Sequence, residues 1–210
     1  MMIIISHRGY WKDPAEKNKP IAFSRSFDLE FGTETDIRDF HGKLVISHDM
    51  PDGSEMTLDE MLRILQGRDL PIAVNIKADG LSVMIEREFE KYGHKNWFTF
   101  DMSGPELISQ IKNKMPAFTR VSEYEPDPIC YERSQGIWLD AFDSDWFEME
   151  RVEKYLRDGK RVCIVSPELH RRESDSMWKT LRSSSIVNDP NLMLCTDKPE
   201  EARRWFEGVS

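Results

Sequence analysis

Apolar residues along the chain fall into short runs, and amphipathic segments separate these runs from one end of the chain to the other. Short apolar runs bounded by polar residues are typical of buried strands. The segments between them carry apolar residues at helical spacing, which predicts helices that bury one face. The pattern therefore predicts eight strands, at residues 2–6, 33–38, 71–76, 97–100, 117–121, 136–139, 161–165 and 192–195.

Helix start signals support several of the segments between these strands. Thr57 precedes Glu60 by three residues, and Ser103 precedes Glu106 in the same way, which is the spacing of a capping box. Pro199 suits the first turn of the last helix. The predicted helices cover residues 21–31, 58–66, 81–92, 105–112, 146–157, 176–183 and 199–206.

Two segments depart from this alternation. Residues 43–47 form an extra apolar run that follows the second strand across a turn-like segment, 40–42, which predicts a hairpin. Residues 122–135 contain two prolines, which predicts a loop or a short distorted helix in place of a regular one.

Strands that alternate with helices form parallel βαβ units, which build either a doubly wound sheet or a barrel. Eight such units in 210 residues come close to the lower size limit of a (β/α)8 barrel, about 200 residues. We therefore predict an α/β fold, a compact (β/α)8 TIM barrel that forms a single domain over residues 1–210. A doubly wound sheet is the alternative.

Composition narrows the class of ligand and the compartment. Lys and Arg number 29 against 38 Asp and Glu, a net charge of −9 that argues against nucleic-acid binding but leaves a small phosphorylated ligand open. The apolar run at residues 1–5 is too short for a signal peptide or a membrane span. Cys163 and Cys195 lie in predicted strands, which favours buried thiols. We expect a cytoplasmic protein without a membrane span, and the sequence leaves its oligomeric state open.

Polar residues that suit phosphate chemistry follow the first two predicted strands. His7 and Arg8 end the first strand, where they place a group that titrates near neutrality beside a fixed positive charge. Glu34 and Asp36 are two residues apart on the second strand, so their side chains point to the same side. Such oxygen ligands suit Mg²⁺ or Ca²⁺, whereas an exposed strand with polar alternation is the competing interpretation.

The next strand ends add an acid/base group, an amide and a second cation. His48 follows the return strand of the hairpin, and Asn75 and Lys77 share one side of the third strand. Asn75 offers a carbonyl oxygen, and Lys77 offers positive charge to a phosphate oxygen. In a (β/α)8 barrel the carboxyl ends of the strands carry the active site, so we expect these groups to lie together.

Further candidates follow the later strands. Trp138 and Asp140 are neighbours on one side of a predicted strand, where they would place an apolar wall beside a hydroxyl-binding carboxylate. Packing of Trp138 inside the barrel is the competing interpretation. Other polar residues at strand ends are candidates for lining a pocket: Asp101, Arg120, Glu123, Ser166, Glu168 and Asp197.

The chain resembles the glycerophosphodiester phosphodiesterase family, within the phospholipase-C-like phosphodiesterase TIM barrels. The resemblance rests on three segments in order, His-Arg-Gly at 7–9, Gly-Thr-Glu-Thr-Asp-Ile at 32–37 and Leu-Val-Ile-Ser-His-Asp at 44–49. The Thr-Asp-Lys-Pro segment at 196–199 is similar to the family's last turn.

The resemblance implies metal-dependent hydrolysis of a small phosphodiester of the glycerophosphodiester type. By resemblance, His7 and His48 would be the general acid and base, and Arg8 and Lys77 would contact the phosphate. Glu34, Asp36 and the residue at position 75 would bind a divalent metal ion, Mg²⁺ or Ca²⁺.

The chain departs from the family at one of these positions, because the family normally has an acidic residue where this chain has Asn75. An amide oxygen lacks a full negative charge, so we expect weaker metal binding. Two alternatives follow: a catalytically impaired pseudoenzyme that binds a phosphodiester or a sugar phosphate, or a lyase that forms a cyclic phosphate.

Overall fold

A computed structural model describes residues 2–207 of the chain. Every predicted strand and helix is present, with boundaries that differ by a few residues. Short 3-10 turns occur at Pro14–Glu16, Tyr131–Arg133 and Pro167–His170. In chain order the elements are β1 (Ile3–His7), α1 (Pro20–Asp28), β2 (Gly32–Phe40), β3 (Lys43–Ile46), α2 (Leu58–Leu65), β4 (Ile72–Ile76), α3 (Ser82–Lys91), β5 (Trp97–Phe100), α4 (Gly104–Lys112), β6 (Phe118–Val121), β7 (Gly136–Leu139), α5 (Met149–Arg157), β8 (Arg161–Val165), α6 (Asp175–Ser183), β9 (Leu192–Thr196) and α7 (Pro199–Glu207).

The chain divides into two compact units, Ser6–Ala117 and a second unit made of the start of β1 and the residues from Phe118 onward. In the first unit the strand order is β5-β4-β2, and β3 pairs with β2 antiparallel as predicted. In the second unit the order is β9-β8-β7-β6. The pairs β2·β4, β4·β5, β6·β7, β7·β8 and β8·β9 are parallel, and helices alternate with these strands, as in a (β/α)8 barrel.

The register of the first unit brings the polar strand ends together. Glu34 lies beside Ala73, and Asp36 lies beside Asn75 in the parallel pair of β2 and β4. The apolar side chains of α1, α2 and α3 cover these strands and include Phe23, Phe27, Met61, Leu62, Ile85 and Phe89. Burial of this core fixes the register, because a shift by one residue would turn the core side chains to the opposite face.

The second unit has its own core. Ile137, Leu139, Val162 and Ile164 of β7 and β8 are fully buried, and Trp178 of α6 packs in the same cluster. The units are thus each stabilised by a cluster of apolar side chains. The prediction of a single domain over residues 1–210 stays a prediction.

Three local expectations need correction. The first concerns α1, which ends at Asp28 and not at residue 31. Glu30 adopts a left-handed conformation with φ +59°, and the amides of Glu30 and Phe31 donate to the carbonyls of Phe27 and Ser26. This is a Schellman motif, which ends the helix without the usual glycine.

The second correction concerns the start of α4. Ser103 Oγ accepts from the Glu106 amide as predicted, but the Ser103 amide donates to Asp79 Oδ1 at 3.2 Å. The Glu106 carboxylate accepts instead from the backbone amide of Gly80 and from the side-chain amide of Gln110. The capping box is therefore half formed at Ser103, whereas the one at Thr57 and Glu60 is complete.

The third correction concerns α5, which begins at Met149 and not at residue 146. The Trp146 indole N–H donates to the carbonyl of Asp140 at 2.8 Å, and this bond anchors the segment before the helix.

Residues 122–135 form the predicted loop with one short 3-10 turn. Within residues 2–207 no helix is long and apolar enough to cross a membrane.

Candidate functional site

The turn that follows β1 places Arg8 beside Glu34. Arg8 and Gly9 both adopt left-handed conformations, with φ +58° and +79°. A Cβ on Gly9 would lie 2.8 Å from Ala22 Cβ, so this turn needs glycine. The turn directs the Arg8 amide toward Glu34, where it donates to the carbonyl oxygen and to carboxylate Oε2, both at 3.1 Å.

Asp36 is the centre of a buried charge cluster. Its side chain is fully buried, and the Arg8 and Lys77 side chains beside it are each 21% exposed. Arg8 Nε lies 2.9 Å from Asp36 Oδ2, and Lys77 Nζ lies 3.2 Å from Oδ1. The Asn18 amide also donates to Oδ2 at 2.9 Å. Burial would raise the pKa of Asp36, but Arg8 and Lys77 hold that pKa below its ordinary value.

Glu34 lies beside this charge cluster in a different electrostatic setting. The residue is 1% exposed, and burial followed by the neighbouring charge of Asp36 raises the pKa of Glu34 well above its ordinary value. His7 Nε2 lies 3.9 Å from Glu34 Oε2, a distance beyond a direct hydrogen bond. The His7 imidazole therefore lies next to the buried carboxylate.

Asn75 completes a set of oxygen donors. Its amide nitrogen donates to Asp101 Oδ2 at 3.3 Å, and its buried oxygen Oδ1 has no hydrogen-bond partner. No group of three or more His, Cys, Asp or Glu side chains that could hold a metal occurs among residues 2–207. Two carboxylates and one unsatisfied amide oxygen nevertheless fit a hard divalent cation, because such ions take oxygen ligands of both kinds. We call Arg8, Asn18, Glu34, Asp36, Asn75 and Lys77 the Asp36 cluster.

His48 lies at the end of the hairpin and is the most accessible of the predicted site residues of the first unit. Its side chain is 48% exposed, and Nδ1 lies 2.9 Å from Asp49 Oδ1. A carboxylate at Nδ1 favours the tautomer with its proton on that nitrogen, which leaves Nε2 as a proton acceptor.

Trp138 and Asp140 belong to the second unit. Trp138 is 3% exposed on β7. Asp140 Oδ1 accepts from the Ala141 amide at 2.9 Å and pairs with His170 Nε2 at 2.6 Å. The hydrogen bond to Asp140 raises the pKa of His170. The prediction that Trp138 and Asp140 bind substrate stays a prediction.

Asn18 and Arg38 contact the candidate site residues, although the sequence analysis did not include them in the site. Asn18 accepts from Thr35 Oγ1 at 3.2 Å in addition to its bond to Asp36. Arg38 donates to the carbonyls of His48 and Lys77. The sequence carried a signal for Arg38, because residues 34, 36 and 38 share one side of a strand.

Comparison with solved structures supports the fold. No protein-family model and no curated protein matches the chain. A glycerophosphodiester phosphodiesterase from Agrobacterium tumefaciens is similar with a TM-score of 0.73 and 16% identity, over 99% of this chain and 100% of that one. A phosphodiesterase from Oleispira antarctica, in complex with the product sn-glycerol-3-phosphate, matches with a TM-score of 0.71 and 13% identity, over 99% and 98% of the two chains.

A third match is a glycerophosphoryl diester phosphodiesterase from Parabacteroides distasonis, with a TM-score of 0.66 and 15% identity over 99% of this chain and 86% of that one. At these identities the likeness is one of fold. The predicted (β/α)8 barrel is therefore confirmed, and so is the resemblance to the folds of these phosphodiesterases.

Proposed function

We propose that the chain hydrolyses a small phosphodiester of the glycerophosphodiester type at the Asp36 cluster. The observation that carries the proposal is the fully buried Asp36 with Arg8 and Lys77 on its two carboxylate oxygens. Two fixed cations in a partly buried setting suit the nonbridging oxygens of a phosphodiester. The fold likeness to phosphodiesterases supports the reaction class, and the glycerol-3-phosphate complex of one of them supports the substrate class.

Glu34, Asp36 and the Oδ1 atom of Asn75 would hold a divalent cation, Mg²⁺ or Ca²⁺. A cation bound there supplies Lewis-acid stabilisation of negative charge on phosphoryl oxygens. When both carboxylates are ionised, their charges balance those of Arg8 and Lys77. We expect affinity below that of a site with three carboxylates, because ligand charge sets the affinity of oxygen sites.

Phosphate binding and proton transfer fall to side chains of the protein. Arg8 and Lys77 bind and orient the phosphate and stabilise the charge that develops on it. One of His7 and His48 takes a proton from the attacking water, and the other gives a proton to the leaving alcohol. His48 Nε2 suits either step, because Asp49 holds the opposite ring nitrogen.

For the second unit by itself we propose that Trp138 and Asp140 contact a hydroxylated carbon chain, since an apolar wall beside a carboxylate suits such a ligand. We also propose a cytoplasmic location, which fractionation of cells that express the tagged chain tests.

A second candidate is a protein that binds the phosphodiester without turning it over. Asn75 removes one negative charge from the donor set, and both oxygens of Asp36 already face cations. A lyase that forms a cyclic phosphate is the third candidate, with Lys77 in place of the metal's charge.

One experiment separates these functions. Wild type, Asn75→Glu and the exposed control Asn113→Glu are assayed on a panel of glycerophosphodiesters with Mg²⁺, with Ca²⁺ and with a chelator. We expect metal-dependent hydrolysis by wild type and by Asn113→Glu, with the half-saturating metal concentration lowered about tenfold in Asn75→Glu. Turnover by Asn75→Glu alone would favour the binding protein, a cyclic product would favour the lyase, and no turnover by either variant or wild type contradicts the hydrolase.

A further inference from the structure

Arg38 extends the row of charged side chains on β2. Residues 34, 36 and 38 alternate with residues that point to the opposite side of the strand, so Arg38 follows Glu34 and Asp36 along one side. It lies two residues beyond Asp36 and one residue beyond the last pair of β2 with β4, Ile37 beside Ile76. Among residues 2–207 Arg38 has no carboxylate partner, and its guanidinium instead donates to the carbonyls of His48 and Lys77 and to the Met50 sulfur.

The guanidinium of Arg38 joins two segments that carry candidate site residues. Nε and Nη2 donate to the carbonyl of His48 at 3.3 and 3.2 Å. Nη1 donates to the carbonyl of Lys77 at 3.1 Å. The planar fork of arginine is suited to several acceptors in fixed directions, which an ammonium group cannot match.

Backbone carbonyls of β2 that precede Arg38 accept hydrogen bonds from the same two segments. The Ser47 amide donates to the carbonyl of Asp36, and the Lys77 amide donates to the carbonyl of Ile37, both at 3.0 Å. The side chain of Arg38 adds a second connection from β2 to the same two segments, because it binds the carbonyls of His48 and Lys77 next to these backbone hydrogen bonds.

We propose that Arg38 is a positioning residue that fixes the backbones of His48 and Lys77 relative to each other by binding their carbonyl oxygens. The catalytic consequence rests on the proposed function, in which Lys77 contacts the phosphate and His48 moves a proton. Reacting groups displaced by about 1 Å lose on the order of a hundredfold in rate, so the positions of these two backbones matter although Arg38 itself touches neither substrate nor proton.

Hydrogen exchange of the protein without substrate tests the structural half of this proposal. Arg38→Met removes the guanidinium, and Arg38→Lys keeps the charge but not the fork. Arg87→Met, on the exposed side of α3, is the matched control. We expect amide exchange in segments 47–50 and 77–79 to rise about tenfold or more in both Arg38 variants, because local opening no longer breaks charged hydrogen bonds, and to stay unchanged in Arg87→Met.

Kinetics test the catalytic half. At equal folded fraction, checked by circular dichroism, we expect kcat/KM for a glycerophosphodiester to fall about 10- to 100-fold in Arg38→Met and nearly as far in Arg38→Lys. The fold decrease in kcat/KM caused by Arg38→Met should be smaller in a His48→Ala background, because the effects of mutations at residues that act through one another are not additive. A purely electrostatic role would instead let Arg38→Lys recover wild-type activity.

Hydrogen exchange and kinetics together distinguish a wrong positioning role for Arg38 from a wrong proposed function. Unchanged exchange at both segments in Arg38→Met overturns the positioning role, whether or not the wild type hydrolyses a diester. Faster exchange supports that role even if the wild type is inactive, in which case the proposed function alone is wrong. Wild-type kcat/KM in Arg38→Lys, or full additivity with His48→Ala, also overturns it.

Discussion

Each unit contains a carboxylate that several neighbouring groups contact, but these partners differ. Asp36 in the first unit is held by Arg8, Lys77 and Asn18, and Asn75 beside it keeps an unsatisfied buried oxygen. In the second unit, Glu168 accepts from Thr196 Oγ1 at 2.5 Å and from the Asp197 amide at 3.1 Å. Its other oxygen accepts from Ser166, whose hydroxyl in turn accepts from Trp178 Nε1 at 2.8 Å. We call Ser166, Glu168, Thr196 and Asp197 the Glu168 cluster.

The difference distinguishes the proposed binding site from a network of neutral hydrogen bonds. In the Glu168 cluster the carboxylate of Glu168 accepts from neutral donors of the same unit. The Asp36 cluster concentrates charges and retains buried polar atoms without hydrogen-bond partners, among them Asn75 Oδ1. Such groups are costly in a folded protein unless a ligand or water meets them. We therefore expect mutations in the Asp36 cluster to remove activity, and mutations in the Glu168 cluster to reduce stability alone.

The largest expected effect follows removal of either proposed acid/base group. His7→Ala and His48→Ala should each lower kcat for a glycerophosphodiester about 100- to 10,000-fold, since general acid–base catalysis contributes on that scale. His41→Ala, in the exposed turn of the hairpin, is the control and should keep wild-type kcat. Steady-state kinetics across pH provide the measurement, and wild-type rates in both His7→Ala and His48→Ala would show that neither histidine moves a proton in the reaction.

The next effect tests the charge balance around Asp36. Asp36→Asn leaves Arg8 and Lys77 without their anion, and we expect the free energy of unfolding to fall by about 2 kcal/mol, less than for a fully buried pair because both cations are partly solvated. Asp28→Asn breaks an exposed pair with Arg68 and should cost less than about 0.5 kcal/mol. Urea unfolding of both variants measures this, and equal losses would contradict a special role for Asp36.

A smaller effect is expected in the Glu168 cluster. Glu168→Gln weakens the hydrogen bonds from Thr196, Ser166 and the Asp197 amide, so the free energy of unfolding should fall by about 1 kcal/mol. Activity per folded molecule should remain within about twofold of wild type, because the residue lies outside the proposed chemistry. A large fall in kcat/KM without loss of stability would instead move Glu168 into the catalytic machinery and remove the contrast between the two clusters.

An effect of similar size, confined to low pH, is expected at Asp140. Asp140 raises the pKa of His170, so the charged pair stabilises the folded state fully below the unfolded pKa of histidine and less as pH rises through the folded pKa. Asp140→Asn should therefore lower the free energy of unfolding by about 1 kcal/mol near pH 5.5, with a smaller difference at pH 9. Unfolding at both pH values is the measurement, and a loss that grows with pH would contradict the pairing.

The sequence predicted most of the fold and of the Asp36 cluster for identifiable reasons. Apolar periodicity located the strands and helices, and same-side spacing on strands paired Glu34 with Asp36 and Asn75 with Lys77. The end of α1 was missed because Glu30 adopts a left-handed conformation that is more typical of glycine. No residue-type signal marks that position.

Asn18 and Arg38 were missed as site residues for a different reason. Asn18 reaches Asp36 across a turn, and Arg38 acts on backbone carbonyls whose positions depend on the path of two loops. Sequence spacing identifies side chains that share a face of one element, but it does not locate the carbonyls of neighbouring segments. Such supporting contacts become visible only when the register of β2, β3 and β4 is known.

Phosphorus NMR of the wild-type protein with a glycerophosphodiester tests the central claim most directly, with Mg²⁺ or Ca²⁺ in one sample and a chelator in another. If the Asp36 cluster hydrolyses phosphodiesters, the diester resonance is replaced by that of a phosphate monoester in the sample with metal. A diester resonance that stays unchanged in every sample would contradict turnover, and a lasting cyclic phosphate resonance would contradict hydrolysis.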